Sequence, residues 1–101
     1  MGVLGERLAA RLLFARGMDL VEHNLAVGKG EIDLLMSDGG APVVVEVRAI
    51  TGEGDPIDAI GLDKREQVRR LARHLRPSRV DLVGIGIRPT HIIFHWVPDA
   101  A

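Results

Sequence analysis

The sequence predicts an α/β domain, a central mixed sheet with flanking helices, in the order α-β-β-β-α-β-β. Three observations carry this. Leucine recurs every fourth position near the start, at Leu4, Leu8 and Leu12, the spacing of one helical face. Two β-branched runs, Ile32 to Met36 and Val43 to Val47, flank a pair of glycines, which reads as a hairpin. A second helical stretch, striped by Val68, Leu71, Ala72 and Leu75, then leads into two more apolar runs. Helices alternating with strands in this way build layered α/β domains.

The first helix is expected over Leu4 to Arg16, with Gly17 as its stop. Leu20 to Leu25 reads as a short strand. The hairpin turn lies within Ser37-Asp38-Gly39-Gly40-Ala41. Ala49 to Ile57, with Gly52, Gly54 and Pro56, reads as a mobile loop that either gates a site or simply connects. Asp63 followed by Glu66 has the spacing of a capping box, and it opens a helix over Lys64 to Arg76 that Pro77 ends. Val80 to Ile87 and Ile92 to Val97 are the closing strands.

A chain of 101 residues fits a single domain spanning 1–101. The residues are 47% hydrophobic and 27% charged, a globular rather than disordered balance. There is no cysteine, which excludes disulfides and thiolate metal sites. No apolar run approaches the ~20 residues of a membrane span, and the first residues lack a signal-peptide layout. The expected location is cytoplasmic, without membrane attachment. A net charge of −1 argues against a generally basic polyanion binder. Positive charge is instead local: Lys64, Arg65, Arg69, Arg70, Arg73 and Arg76 face one acid, Glu66. Such a patch can bind phosphate in a nearly neutral protein.

The hairpin carries the chemistry. Side chains alternate along a strand, so Glu31 and Asp33 share one face, as do Glu46 and Arg48. With Gly39-Gly40 at the turn, Asp33 stands opposite Glu46, and Glu31 opposite Arg48. With Asp38-Gly39 there, Glu31 faces Glu46. Opposed acids ~5 Å apart repel one another. Either a hard cation, Mg²⁺ or Mn²⁺, balances them, or Arg48 does so as part of an exposed ion-pair ladder. Glu6 is an acid among the apolar neighbours Ala9, Ala10 and Leu13, which places it either at a frayed first turn or aimed at something.

Gly5-Glu6 in the first helix, Asn24, Gly30-Glu31-Ile32-Asp33-Leu34, Val45-Glu46-Val47-Arg48, and Lys64 with Ala72 in the second helix together resemble the YraN family of bacterial proteins. The likeness runs from about Gly5 to Ile93. That family is similar in turn to the restriction-endonuclease-like fold with its D…ExK signature, and to archaeal Holliday-junction resolvases in having an acid on the first helix. The resemblance implies Asp33 and Glu46 as metal ligands and catalytic residues, Glu6 as a further catalytic acid, and Glu31 as an outer acid. It implies metal-dependent hydrolysis of DNA phosphodiester bonds, in branched or single-stranded substrates, with Mg²⁺ or Mn²⁺. Arg48 stands where the signature has lysine. Arginine binds phosphate but does not give up a proton at ordinary pH, so the alternative is a non-catalytic module that binds nucleic acid or protein.

Lys64, Arg65, Arg69 and Arg73, with Arg48, are the expected nucleic-acid contacts. No aromatic residue interleaves them, so base stacking is not expected there. His91 and His95 share a face of a regular last strand, but two histidines do not make a zinc site. The strand Ile92 to Val97, with Phe94 and Trp96, serves either as core or as the interface of a homodimer. No glycine-rich phosphate loop or Ser-His-Asp set is evident.

Overall fold

A computed structural model of the protein describes residues 2–77 and 79–100. Its elements are α1 (Gly2–Phe14), β1 (Met18–Val27), β2 (Gly30–Asp38), β3 (Ala41–Thr51), a 3-10 turn (Pro56–Ala59), α2 (Leu62–Ala72), β4 (Arg79–Ile87) and β5 (Ile92–Val97). The predicted element order and mixed sheet are both present. The strands form one five-stranded sheet in sequential order. β3 and β4 run parallel; every other neighbouring pair is antiparallel. A parallel pair needs a crossover connection, and α2 lies on it.

Central strands are covered on both faces, which is why β3 reads Val43-Val44-Val45 without alternation. Ala9 and Leu13 of α1 pack with Leu34, Met36, Val43, Val45 and Ile85 on one face. Val68 and Ala72 of α2 pack with Val27, Ile32, Val44 and Val80 on the other. The 3-10 turn lies close over β4: a Cβ on Gly84 would stand 2.5 Å from the Ile57 nitrogen.

Several boundaries differ from the sequence reading. β1 is ten residues long rather than a short strand. α2 begins at Leu62 and ends at Ala72, so Arg76, at φ 47, lies outside the helix. The capping box is not formed. Gly61 is the N-cap, and no side chain caps the helix; Asp63 sits inside the first turn. The expected mobile loop is shorter, because β3 continues to Thr51. It is also tied down: Arg88 donates to the Gly54 carbonyl at 2.6 Å, and His95 bonds Asp55 at 2.8 Å.

A buried polar knot fastens the far end of the sheet. Asp81 is fully buried. It accepts from the Arg79 Nε (2.9 Å), the Trp96 indole (2.9 Å) and the Asp99 backbone N–H (2.8 Å). Arg79 also reaches Asp38 at 2.9 Å. Every strong partner of this buried charge is therefore fixed.

Candidate functional site

The turn of the β2–β3 hairpin is Gly39-Gly40, both at positive φ (60° and 91°), as a two-residue hairpin turn requires. The pairing runs from Asp38↔Ala41 to Leu34↔Val45. Its continuation sets Asp33 opposite Glu46, the first of the two registers the sequence allows. The ladder stops there, and the strand's alternation breaks as well. Ile32 packs against the α2 side, whereas Leu34 and Met36 pack against the α1 side. Asp33 lies at this break. Its Oδ2 accepts the Val47 N–H at 2.9 Å, so a carboxylate takes the place of a strand carbonyl. That bond fixes the side chain between the strands.

Glu46 is 2% exposed. Burial, then a hydrogen bond and charge repulsion from Asp33, push its carboxyl up from 4.5 to about 8. Lys64 and Arg48 oppose this, Lys64 with its Nζ 4.0 Å from Glu46 Oε2. Glu46 Oε1 is buried and has no hydrogen-bond partner. A buried acceptor without a donor is costly, and here it adjoins a second acid.

Glu6 joins from α1. Gly5 makes this possible: a Cβ there would meet the Ala49 Cβ at 2.8 Å, so only glycine lets the helix lie this close to β3. Burial, then the field of Asp33, raise the Glu6 carboxyl above its usual range, and Glu31 adds to the effect. His23 and a hydrogen bond from Asn24 oppose it. Glu6 Oε1 is also buried without a partner. Asn24 adopts φ 49, a left-handed conformation that asparagine tolerates better than most residues. The sequence reading did not count Asn24 among the site residues, although it is one of the positions that carry the family resemblance.

Other predicted residues divide. Arg48 and Glu31 are both exposed, and among the described residues they form no ion pair with each other. The Arg65 guanidinium is turned inward, donating to the carbonyls of Ile60 (3.0 Å) and Ile57 (3.4 Å). Arg69 pairs with Glu66 at 3.0 Å. Arg73 is the C-cap of α2 and is exposed. His91 precedes β5 and contacts Thr90, while His95 is engaged with Asp55, so the two histidines do not converge. Among the described residues, no three His, Cys, Asp or Glu side chains are grouped as a metal ion's ligands. Nor is any helix long and apolar enough to cross a membrane.

The sequence model of the uncharacterised protein family UPF0102 matches residues 5–85. A UPF0102 protein of Nocardioides sp. is 42% identical over 99 residues, covering 88% of this chain and 79% of its own length. Another, from Clavibacter michiganensis, is 40% identical over 95 residues, covering 84% and 80%. Among solved structures, Pyrococcus furiosus SfsA in complex with Ca²⁺ aligns with a TM-score of 0.44 and 11% identity. That alignment covers 92% of this chain and 60% of SfsA. The match across most of the chain and the identities with relatives over about four fifths of their length agree: this protein belongs to the UPF0102 (YraN) family.

Proposed function

We propose that this protein acts on nucleic acid, as a divalent-metal-dependent endonuclease on DNA, with Asp33 and Glu46 as its metal ligands. The observation that carries the reading is the orphaned Glu46 Oε1, buried beside Asp33. The residues fit such an ion. Mg²⁺ is held by one or two carboxylates and keeps several waters, so two fixed acids suffice without a third. When bound, Mg²⁺ or Mn²⁺ would polarise a phosphate oxygen and lower the pKa of a water.

The chain's own groups have separable roles. The Val47 N–H holds Asp33 in one orientation. Lys64, one of two lysines in the chain, places positive charge beside Glu46, where it would steady negative charge developing on phosphate. Arg48, exposed on the same strand as Glu46, would bind a phosphate oxygen. Glu6, its carboxyl raised, would carry a proton near the site.

Arg48 favours a second reading, binding without turnover, since it cannot act as a base. One experiment separates the two. Mn²⁺ is titrated into the amide NMR spectrum of the wild type and of Asp33→Asn, and labelled branched and single-stranded DNA are incubated with both. Broadening confined to Asp33, Glu46 and Val47, with cleavage lost in the variant, supports the enzyme. Absence of localised broadening, or cleavage unchanged in Asp33→Asn, refutes it. Binding that persists in EDTA without cleavage under either metal supports the second reading.

A further inference from the structure

Beside the carboxylates, a groove of about 550 Å³ opens between α1 and β1. Its size is that of a small-molecule site, which spans roughly 300–1,000 Å³. Val3 and Leu20 give it apolar lining, and Glu6, Arg7, Arg11, His23 and Asn24 give it polar lining. Val3 and Leu20 are 63% and 46% exposed, so apolar surface is left facing the opening. Arg7 and Arg11 make no hydrogen bond or ion pair among the described residues, and Glu6 Oε1 is a buried acceptor lacking a donor. Leu34, next to Asp33, reaches the same groove, which joins it to the hairpin site.

We propose that this groove holds one unpaired nucleotide of the strand whose phosphate meets the Asp33–Glu46 pair. The proposal rests on the nucleic-acid reading above and names its substrate class: DNA with an unstacked or single-stranded nucleotide beside the scissile bond. Three features fit. Aliphatic walls accept the face of a base, as pockets for extruded bases do. Two free arginines complement the flanking phosphates. The Asn24 amide, exposed and lining the groove, meets the edge of the base, and an asparagine amide matches the adjacent donor and acceptor of adenine better than the edge of thymine. A base in a duplex presents only its edge and cannot lie in a groove walled on both sides by α1 and β1.

The test is fluorescence anisotropy in EDTA with Asp33→Asn, so that no cleavage intervenes. The probes are a labelled strand of A and C, its duplex, and an all-T strand, each of roughly 12 nucleotides, within the site size of single-strand binders. The A/C strand should bind at least ~5-fold more tightly than either other probe, a discrimination of about 1 kcal/mol. Arg7→Ala/Arg11→Ala should flatten the dependence of log K on log salt by ~1.4, at about 0.7 per phosphate contact on single strands. Leu20→Trp, at an exposed position, should fill the groove and weaken the strand more than the duplex.

Equal affinity for strand and duplex overturns the proposal. So does an unchanged salt slope in the double variant, or the same loss arising from Arg69→Ala/Arg73→Ala instead. The two levels of inference fail separately. Strand binding through the groove with no cleavage by the wild type sinks the nuclease and keeps the groove. Cleavage that depends on Asp33 but ignores Arg7, Arg11 and Leu20 does the reverse.

Discussion

Replacing Glu46 by glutamine should make the fold more stable at alkaline pH, and the structure sets the size of the effect. Folded Glu46 keeps its proton up to about 8, whereas an unburied glutamate releases it near 4.5. Between those values the folded state binds more protons than the unfolded one, so stability falls as pH rises through the window. At about 1.36 kcal/mol per pH unit, the ceiling is roughly 4–5 kcal/mol, a large part of the 5–15 kcal/mol that typically holds a domain together. Glutamine keeps the shape, carries no charge, and retains a donor for Asp33. Urea unfolding followed by Trp96 fluorescence measures this, Trp96 being the one tryptophan. With a slope of ~1–3 kcal/mol per molar urea, the wild-type midpoint should drop by at least ~1 M between about pH 5 and about pH 8.5. The Glu46→Gln midpoint should fall much less over the same range. Equal losses in both proteins would refute the claim that Glu46 is the strained acid. Mn²⁺ extends the test: it should restore wild-type stability at high pH, by about 2.7 kcal/mol at a hundred times its Kd, and leave the variant unmoved.

Three further outcomes follow from contacts elsewhere. Asp81→Ala strands the Trp96 indole and the Asp99 N–H and leaves Arg79 with Asp38 alone. It should cost about 2–4 kcal/mol, at about 1–3 for each buried donor left unmade, and shift Trp96 emission, both read in the urea titration. Gly84→Ala forces a methyl against the backbone of Pro56 and Ile57 and should cost about 1–3 kcal/mol, with faster amide exchange in the 3-10 turn. Asp55 is held below the usual carboxylate range, first by its His95 hydrogen bond and then by the Ile57 N–H. Its stabilising effect is present above the ordinary value of 3.8 and fades only as pH falls below it. The Ile57 amide should therefore stay protected in mild acid, and His95→Ala should expose it earlier.

The parts of the fold that were legible in the sequence are those with a local cause. The glycine pair within Ser37 to Ala41 marked the hairpin, the valine run marked a strand, and Ile92–Val97 was placed residue for residue. β1 was underread because it is an edge strand: of its ten residues only Met18 and Val27 are buried, so no period of two is written into it. The capping box failed because Gly61, in extended conformation, takes the cap position, while Arg65 turns back onto Ile57 and Ile60. At the site, the facing of Asp33 and Glu46 was one of two registers the spacing allowed, and the oddity of Glu6 was visible as an acid among apolar neighbours. The Asp81 knot was not legible. Its partners lie at positions 38, 79, 96 and 99, and nothing in their spacing announces that they meet. The inward turn of Arg65 was hidden for the same reason: a basic residue on a basic helix looks alike whether it faces water or a carbonyl.

The left-handed turn at Asn24 has a consequence for colloidal behaviour. β1 is an open edge of the sheet, ten residues long, with Leu20 and Val21 exposed. A straight edge of that length is a template on which another chain can add a strand and begin an aggregate. Two irregularities interrupt it: a shift of register between Leu20 and Glu22, and the φ 49 of Asn24. Bulges and kinks of this kind spoil edge-to-edge pairing. The residue that bends toward Glu6 thus also keeps the free edge from matching a second copy. Asn24→Val, which favours a straight strand, should lower solubility at high protein concentration even where the fold survives.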